Sequence, residues 1–347
     1  MFKLTRHASN PILSPKSDLP WEKEGVFNPG VTEFNNDIYL LYRAVGERES
    51  YISHFGLAKS HDGVNFERVS TEPVFGPRET FDHWATEDPR ITKIENDFYV
   101  TYVAVAKRIM KDGSSVKRFL PLETSTALLK TKDFLNYENL GVISPPNSDN
   151  KDITLFSRQI NGRYYMLHRP NHWSKEWFQG PYEKYLNEGL PCDVKDLPDI
   201  PGIWIASSAD LENWNDHQLL ISPSHSDDAK IGPGIPPIET EAGWLVIYHH
   251  VKKDKATGFF VYSARAALLD LKNPTKVIAK LNYDILEPEL PYEKENQTRV
   301  VFPTGGLVKN DMLYVYYGSS DRYVCLATGS LKELLAELKL ATEKKTN

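Results

Sequence analysis

Read from the amino end, the apolar residues come in short runs broken by small polar pairs. The pairs are Asn36-Asp37, Asn96-Asp97, Asn161-Gly162, Ala242-Gly243 and Asn310-Asp311. An aromatic-rich run follows each: Ile38-Tyr39-Leu40-Leu41-Tyr42, Phe98-Tyr99-Val100-Thr101-Tyr102, Arg163-Tyr164-Tyr165-Met166-Leu167, Trp244-Leu245-Val246-Ile247-Tyr248 and Met312-Leu313-Tyr314-Val315-Tyr316. Asn-Gly and Asn-Asp tolerate the positive φ of a tight hairpin turn, so each pair predicts a β-hairpin.

A third strand follows in every unit. Gly56 to Ser60 precedes Asp62 and Phe66, Ala127 to Lys130 precedes Asp133 and Tyr137, and Trp204 to Ser208 precedes Asp210 and Trp214. Ala264 to Leu269 and Tyr323 to Ala327 complete the fourth and fifth units. Units of three or four strands, roughly 60 to 80 residues apart, predict an all-β chain folded as a five-bladed β-propeller over residues 1–330. A β-sandwich does not repeat with this period.

Two segments depart from the repeat. The stretch from about 171 to 201, rich in Trp, Pro and charge, reads as an insertion in the third blade, and such insertions usually lie on a functional face. From Ser330, the residues Leu331, Leu334, Leu335 and Leu338 recur at helical spacing behind a Ser330…Glu333 capping pair. Residues 331–347 are therefore expected to form a C-terminal amphipathic helix and tail. The helix would pack on the propeller exterior or on a second copy of the chain in a homodimer.

Composition narrows the partners. The chain has 41 Lys and Arg against 47 Asp and Glu, a net charge of −6, which argues against nucleic acid or an acidic membrane. Any cationic site must be local. Two cysteines, Cys192 and Cys325, cannot make a disulfide framework or a structural zinc site, and no Asp or His cluster has metal-ligand spacing. The amino end lacks an apolar signal core and no apolar run approaches the roughly 18 residues of a membrane span, so a cytoplasmic protein is expected.

In a propeller the innermost strand of each blade lines the channel, so polar residues at equivalent positions converge. Asn28, Asp88, Lys151-Asp152, Lys230 and Thr304 stand just before the inner-strand apolar runs, and Arg43, Arg169, His249 and Asp321 at the far ends of the returning strands. The Arg and His members share a register of about seven or eight residues after the hairpin turn. The set holds the cations Arg43, Lys151, Arg169, Lys230 and His249 but few carboxylates, with Asp88 stiffened by Pro89. It suits a compact anion, phosphate above all, beside one acid. A hydrolytic glycosidase needs two carboxylates, whereas phosphate as the nucleophile needs no base. Each residue also has a structural reading: Asp88 as a turn cap, Arg43 and Arg169 as ion pairs across blades, His249 and His250 as a surface pair.

Together the motifs Asn28-Pro29-Gly30, Tyr42-Arg43-Ala44, Glu87-Asp88-Pro89-Arg90-Ile91, Lys151-Asp152, His168-Arg169-Pro170, Lys230-Ile231-Gly232, Gly243-Trp244-Leu245 with Tyr248-His249, and Ala266-Ala267-Leu268-Leu269-Asp270 resemble glycoside hydrolase family 130. These are the β-mannoside phosphorylases and their relatives. The resemblance implies a five-bladed fold and inverting phosphorolysis, in which a β-mannoside and phosphate give α-mannose 1-phosphate and a shortened sugar. No cofactor is implied, since inorganic phosphate is a substrate, and the partners are an oligosaccharide and phosphate. Asp88 matches the general acid, thought in related enzymes to act through the 3-hydroxyl of the bound mannose. Lys151, often Arg in relatives, matches a phosphate-binding position, as do Arg169, Lys230 and His249, and Tyr262 lies near a further one. Asn28, Arg43 and Asp321 look like contacts to the non-reducing mannose, and Arg90, Asp152 and His54 join them on the substrate side. His83, His172 and Trp173 are further sugar-side candidates.

Relatives cleave β-1,4 or β-1,2 mannosides, and the discriminating residues fall in loops such as Tyr51 to His54, Ala106 to Lys117 and the third-blade insertion. The basic loop from Lys107 to Lys117 and the Trp-rich insertion resemble the β-1,2 subgroup, so short β-1,2-mannosides are the expected substrates. The alternatives are a β-1,4-mannosyl phosphorylase, a hydrolase of the same family in which acidic residues replace the cations, and a noncatalytic sugar-binding propeller.

Overall fold

A computed structural model of the chain describes residues 1–106, 123–145, 148–172, 201–223 and 228–346. The loop from Lys107 to Lys117, nearly all of the expected insertion, Trp173 and Cys192 lie outside the described residues.

Strand β1 (Thr5–Arg6) is followed by β2 (Gly25–Phe34), β3 (Asp37–Val45), β4 (Ser53–Ser60) and β5 (Glu67–Arg68), and the last four form an antiparallel sheet. A second such sheet holds β6 (Ala85–Ile94), β7 (Asp97–Ala106), β8 (Glu123–Thr131) and β9 (Tyr137–Val142). A third holds β10 (Asp149–Leu155), β11 (Tyr164–His172), β12 (Ile203–Ser208) and β13 (Trp214–Ile221). Next come β14 (Asp228–Pro233), β15 (Ile238–Thr240), β16 (Gly243–Lys253), β17 (Phe260–Leu269) and β18 (Val277–Lys280). They share a sheet with β19 (Arg299–Lys309), β20 (Met312–Ser319), β21 (Tyr323–Ser330) and β1. A short parallel step between β17 and β19, at Val261↔Arg299 and Tyr262↔Val300, divides this sheet into two antiparallel groups.

The groups follow one another around a ring. Strand β2 lies beside β6, β6 beside β10, β10 beside β14, β17 beside β19, and β19 beside β2. The chain is thus nearly all-β with one C-terminal helix, and the layout is consistent with a propeller. Apolar residues fill the junctions between neighbouring sheets: Phe55 and Phe75 meet Tyr102 across the first, and Phe156 meets Trp244 edge-on at 5.0 Å between the third and fourth groups. Each such side chain contributes about 1.5–3 kcal/mol by leaving water.

Local chemistry explains the turns. In Ser60-His61-Asp62-Gly63-Val64-Asn65, one Asp62 oxygen accepts from the backbone N–H of Val64 and Asn65 while the other accepts from the Asn65 side chain. Asp133 and Asp210 repeat this arrangement. These hydrogen bonds hold all three carboxyls below their ordinary range. Three hairpin turns lie one residue earlier than the sequence pattern suggests, at Asn35-Asn36, Glu95-Asn96 and Glu241-Ala242, so Asp37, Asp97 and Gly243 open the strands. Asn35, Asn36 and Glu95 take the positive φ, at 51°, 65° and 55°.

Helix α1 (Leu331–Thr346) starts where Ser330 Oγ accepts the Glu333 N–H, and it buries Leu334 and Leu338 against its own chain, beside Leu268 and Leu281. Among the described residues no helix is long and apolar enough to cross a membrane. Strand β1 completes the last group by pairing Thr5↔Thr328 and Arg6↔Ala327. The Arg6 guanidinium binds both oxygens of Glu293, at 2.8 and 3.0 Å, and this carboxylate is fully buried and also accepts from the Tyr317 hydroxyl. Arg6→Met strands that charge and is expected to destabilise the protein by about 3 kcal/mol or more, read from urea unfolding. A loss below about 1 kcal/mol contradicts this account of the closure.

Candidate active site

The strand ladder slips at matching places in the first strands of three groups: between Phe27 and Gly30, Glu87 and Arg90, and Lys151 and Thr154. Asn28, Asp88 and Asp152 fill these bulges with φ of 47°, 49° and 63°. Asn and Asp are the side-chain-bearing residues that accept the left-handed conformation most readily, and a bulge re-aims the side chain it carries. The fifth group slips between Pro303 and Gly305, where Thr304 donates to the Pro29 carbonyl. Arg43, Arg169 and His249 occupy one register position on the second strands, and Gly318 holds it in the fifth group. A Cβ at Gly318 would collide with the Asn28 side-chain oxygen. Asp321 departs from the expected register, lying in the turn after β20 at φ 50°.

On the acid side, Asp88 Oδ1 accepts from Asn28 Nδ2 at 2.8 Å and from Arg43 Nη1 at 3.2 Å. Glu87 bridges two cations, with Arg43 Nη2 at 2.7 Å and Lys151 Nζ at 3.4 Å. Burial alone would raise the Glu87 pKa, but Arg43 and Lys151 overcome it and hold the carboxyl low. Burial opposes the charge on Arg43 and Lys151 in turn, and Glu87 and Asp88 restore it. The Arg43 guanidinium lies between two rings, 5.0 Å from Phe27 and 5.2 Å from Tyr51. Tyr51 and Asp321 also line a 260 Å³ cavity with Glu24, Val45, Arg48 and Asn296. Burial pushes the Asp321 carboxyl up, against the pull of Arg43.

The cationic side is built on Asp152. One oxygen takes Arg169 Nε and Nη2 at 2.9 and 2.6 Å, the other Arg90 Nη2 at 2.9 Å, and His249 Nε2 stands 3.6 Å away. Burial would raise the Asp152 pKa, but Arg169, Arg90 and His249 drive it far below the carboxylate range. Burial pushes His249 well below its ordinary value, so the ring is neutral. Lys230 lies 5.3 Å from the Tyr262 ring centre, and burial, with Arg169 beside it, lowers its pKa to about 8. Burial raises Tyr262 to about 12. Among the described residues, Arg169 Nη1 and both His249 nitrogens are buried without a hydrogen-bond partner.

The structure thus gathers ten of the eleven expected site residues other than His54, with Lys151 linked through Glu87 and Lys230 and Tyr262 set beside His249, and it sets Asp321 within electrostatic reach of Arg43 and Asp88. His54 lies on β4, opposite Ala44, with its ring against Gly76. Arg90 and Asp152, read from the sequence as substrate-side residues, direct their polar atoms at protein partners. Both are about 1% exposed, and Arg90 is committed to Asp152 and to the carbonyls of Asp88 and Gly234. The pocket is also less poor in carboxylates than its sequence suggests, because Glu87, Asp88, Asp152 and Asp321 all enter it. Glu87 was visible in the Glu87-Asp88-Pro89 motif, but its bridging role depends on the bulge. Phe302, whose ring is 4.7 Å from His249, carried no sequence signal, and Tyr51 was marked only as one end of a loop expected to discriminate between substrates.

With this geometry in view, comparison with known proteins is informative. The sequence profile of glycoside hydrolase family 130, described as beta-1,4-mannooligosaccharide phosphorylase, matches residues 3–340. A 1,2-beta-oligomannan phosphorylase from Thermoanaerobacter sp. (strain X514) is 36% identical over 342 residues, 96% of this chain and 99% of that protein. A beta-1,2-mannobiose phosphorylase from the same strain is 37% identical over 343 residues, 94% of this chain and 97% of its own length. The solved complex of Listeria innocua beta-1,2-mannobiose phosphorylase with beta-1,2-mannobiose superposes with a TM-score of 0.77 at 29% identity, covering 97% of this chain and 99% of that one. The chain belongs to glycoside hydrolase family 130. Its relatives are phosphorylases, and it is an enzyme.

Gly232 tests how tightly the cationic side is built. A Cβ there would stand 2.6 Å from His249 ring atoms and 2.7 Å from Arg169 Nε. Gly232→Ala is expected to cut turnover about 100-fold by prising the two apart, with little change in melting temperature. Unchanged turnover in the folded variant contradicts this placement.

Proposed function

We propose that the chain is an inverting β-mannoside phosphorylase. It converts a short β-1,2-linked mannoside and phosphate to α-mannose 1-phosphate and the shortened sugar, a glycosyl transfer to phosphate. The observation that carries this reading is the set of buried, unpartnered nitrogen atoms on Arg169 and His249, beside Lys230 and across the pocket wall from Asp88. A preorganised cluster of this kind suits an oxyanion, holds it for attack and offsets its charge. The β-1,2 linkage draws on the two relatives at 36 and 37% identity, whose names specify it, in preference to the β-1,4 linkage in the family description.

On this reading the contacts support the following roles. Asp88 is the acid that protonates the departing glycosidic oxygen. Lys151, Arg169, Lys230, His249 and Tyr262 hold phosphate, which is the nucleophile, so the reaction needs neither a base nor a cofactor. Asn28, Arg43 and Asp321 bind the mannose that is transferred. Arg90 and Asp152 orient Arg169 and His249 instead of touching sugar. The five antiparallel groups are the blades of a five-bladed propeller, and the pocket lies where their first strands converge. A cytoplasmic location accords with a charged product that cannot diffuse across a membrane.

Incubation with β-1,2-mannobiose is expected to yield mannose 1-phosphate only when phosphate is present, and Asp88→Asn to lower turnover about 10²–10⁴-fold. Phosphate-independent cleavage overturns the reading, and a β-1,4 product from mannose 1-phosphate and mannose overturns the linkage. Lys230 adds a pH dependence. Its cation attracts phosphate below a pKa of about 8 and is lost as pH rises through that value. The KM for phosphate should therefore climb on the alkaline side with a midpoint near pH 8, and Lys230→Met should raise it at neutral pH and flatten that climb. An alkaline limb unaltered in Lys230→Met assigns the titration elsewhere.

A further inference from the structure

In four of the five groups, the residue just before the site-facing position of the second strand is a tyrosine: Tyr42, Tyr102, Tyr248 and Tyr317. Three of these donate their hydroxyls at 2.8 Å to a carboxylate buried in the loop ahead of the group or blade: Tyr42 to Glu22, Tyr102 to Asp82 and Tyr317 to Glu293. In the third group the position is His168, directly before Arg169. A phenol brings one hydroxyl; an imidazole brings a donor on one side of the ring and an acceptor on the other.

His168 uses both sides. Its Nδ1 lies 3.0 Å from Asn150 Nδ2, and its Nε2 lies 3.1 Å from His217 Nδ1. His217 Nε2 in turn lies 3.3 Å from the Trp214 carbonyl oxygen. All three side chains are buried. A carbonyl can only accept, so His217 carries its hydrogen on Nε2. Burial holds both rings neutral, lowering His217 to about 4 and, with His217 beside it, His168 well below its usual range. Each neutral ring has one N–H, so His217 Nδ1 must accept from His168 Nε2–H, and His168 Nδ1 must accept from Asn150. The direction of every hydrogen bond is fixed from one end.

The chain starts and passes beside the cations of the pocket. Asn150 precedes Lys151 on β10, His168 precedes Arg169 on β11, and Lys151 and Arg169 are direct partners across the two strands. Side chains alternate along a strand, so Asn150 and His168 hold the sheet from the side opposite to Lys151 and Arg169. Arg169 has Nε and Nη2 on one oxygen of Asp152, a single anchor about which the guanidinium plane can tilt, so the aim of Nη1 also depends on how β11 is set.

We propose that Asn150, His168 and His217 form a positioning unit, a one-way hydrogen-bond chain anchored on the Trp214 carbonyl that sets the angle at which Lys151 and Arg169 meet phosphate. This rests on reading Lys151 and Arg169 as phosphate ligands. None of the three touches the reacting atoms, so their removal acts on phosphate binding and leaves the mannoside contacts alone.

The test has two arms. In the first, His168→Phe and His217→Phe are each expected to raise the KM for inorganic phosphate about tenfold, with the KM for mannobiose and kcat at saturating phosphate within about twofold of wild type. His168→Gln, whose amide offers an acceptor and a donor, should return the phosphate KM to within about threefold. Folded variants with an unchanged phosphate KM, or with both KM values raised alike, overturn the proposal. The second arm needs no variant. Imidazole ¹H–¹⁵N spectra of the wild-type protein at pH 7 should show two neutral rings protonated on Nε2 that are assigned to His168 and His217 and shift as inorganic phosphate is added. A Nδ1-protonated or charged ring at either position overturns it. Wild-type turnover that ignores phosphate overturns the functional reading instead, and phosphate-dependent turnover with the wrong tautomers overturns only the positioning unit.

Discussion

The arrangement rests on one backbone constraint, the left-handed bulge that recurs in the first strands. An unbroken strand would keep Asn28, Asp88 and Asp152 each pointing straight out from a face of its own sheet. The slip instead places each where the first strands of neighbouring groups meet, so residues 60 or more positions apart share one pocket. Asn28 and Asp88, from successive groups, are in direct contact because both occupy the same step of the repeat. Gly318 is the complement in the fifth group, where the absence of a side chain makes room for Asn28.

That geometry creates an electrostatic problem and the pocket's composition answers it. Five cations, Arg43, Arg90, Lys151, Arg169 and Lys230, would repel one another strongly if buried together. Glu87 and Asp152 each sit between two of them and cancel much of that repulsion while fixing direction. Against the five cations, Glu87 and Asp152 leave a surplus of three positive charges, and the neutral His249 adds contacts without adding charge. An anion therefore meets fixed donors whose orientation is already determined, which is how preorganised sites act without reorganising at the moment of reaction.

Much of this was legible in the chain. The hairpin pairs and aromatic runs carry the repeat, and its register singles out Arg43, Arg169 and His249 because strand positions at equal distance from equivalent turns must face the same way. The leucine spacing from Leu331 was equally explicit. Less visible were properties that depend on the bulge: the sequence Glu87-Asp88 does not reveal that one carboxylate bridges cations while its neighbour faces Asn28. Arg90 and Asp152 look like ligand-binding residues in a list of polar positions, and only their hydrogen-bond partners in the fold distinguish a charge that holds its neighbours from one left with an unpartnered donor, as Arg169 is. The turns at Asn35-Asn36, Glu95-Asn96 and Glu241-Ala242 were displaced by one residue because several turn-tolerant residues stand side by side there and the pattern alone cannot rank them.

The closure at Arg6 bears on the order of events in the life of the molecule. Thr5 and Arg6 leave the ribosome more than three hundred residues before Thr328 and Ala327, their partners in β21. Strand β1 must wait for β21 while the sheets between them in sequence are made, and contacts of such sequence separation are slow to form. Because the pocket draws on several sheets of the ring, it matures with the ring. A nascent chain can hold its first sheets folded and still have no catalytic centre, so activity arrives in a single late step instead of accumulating sheet by sheet.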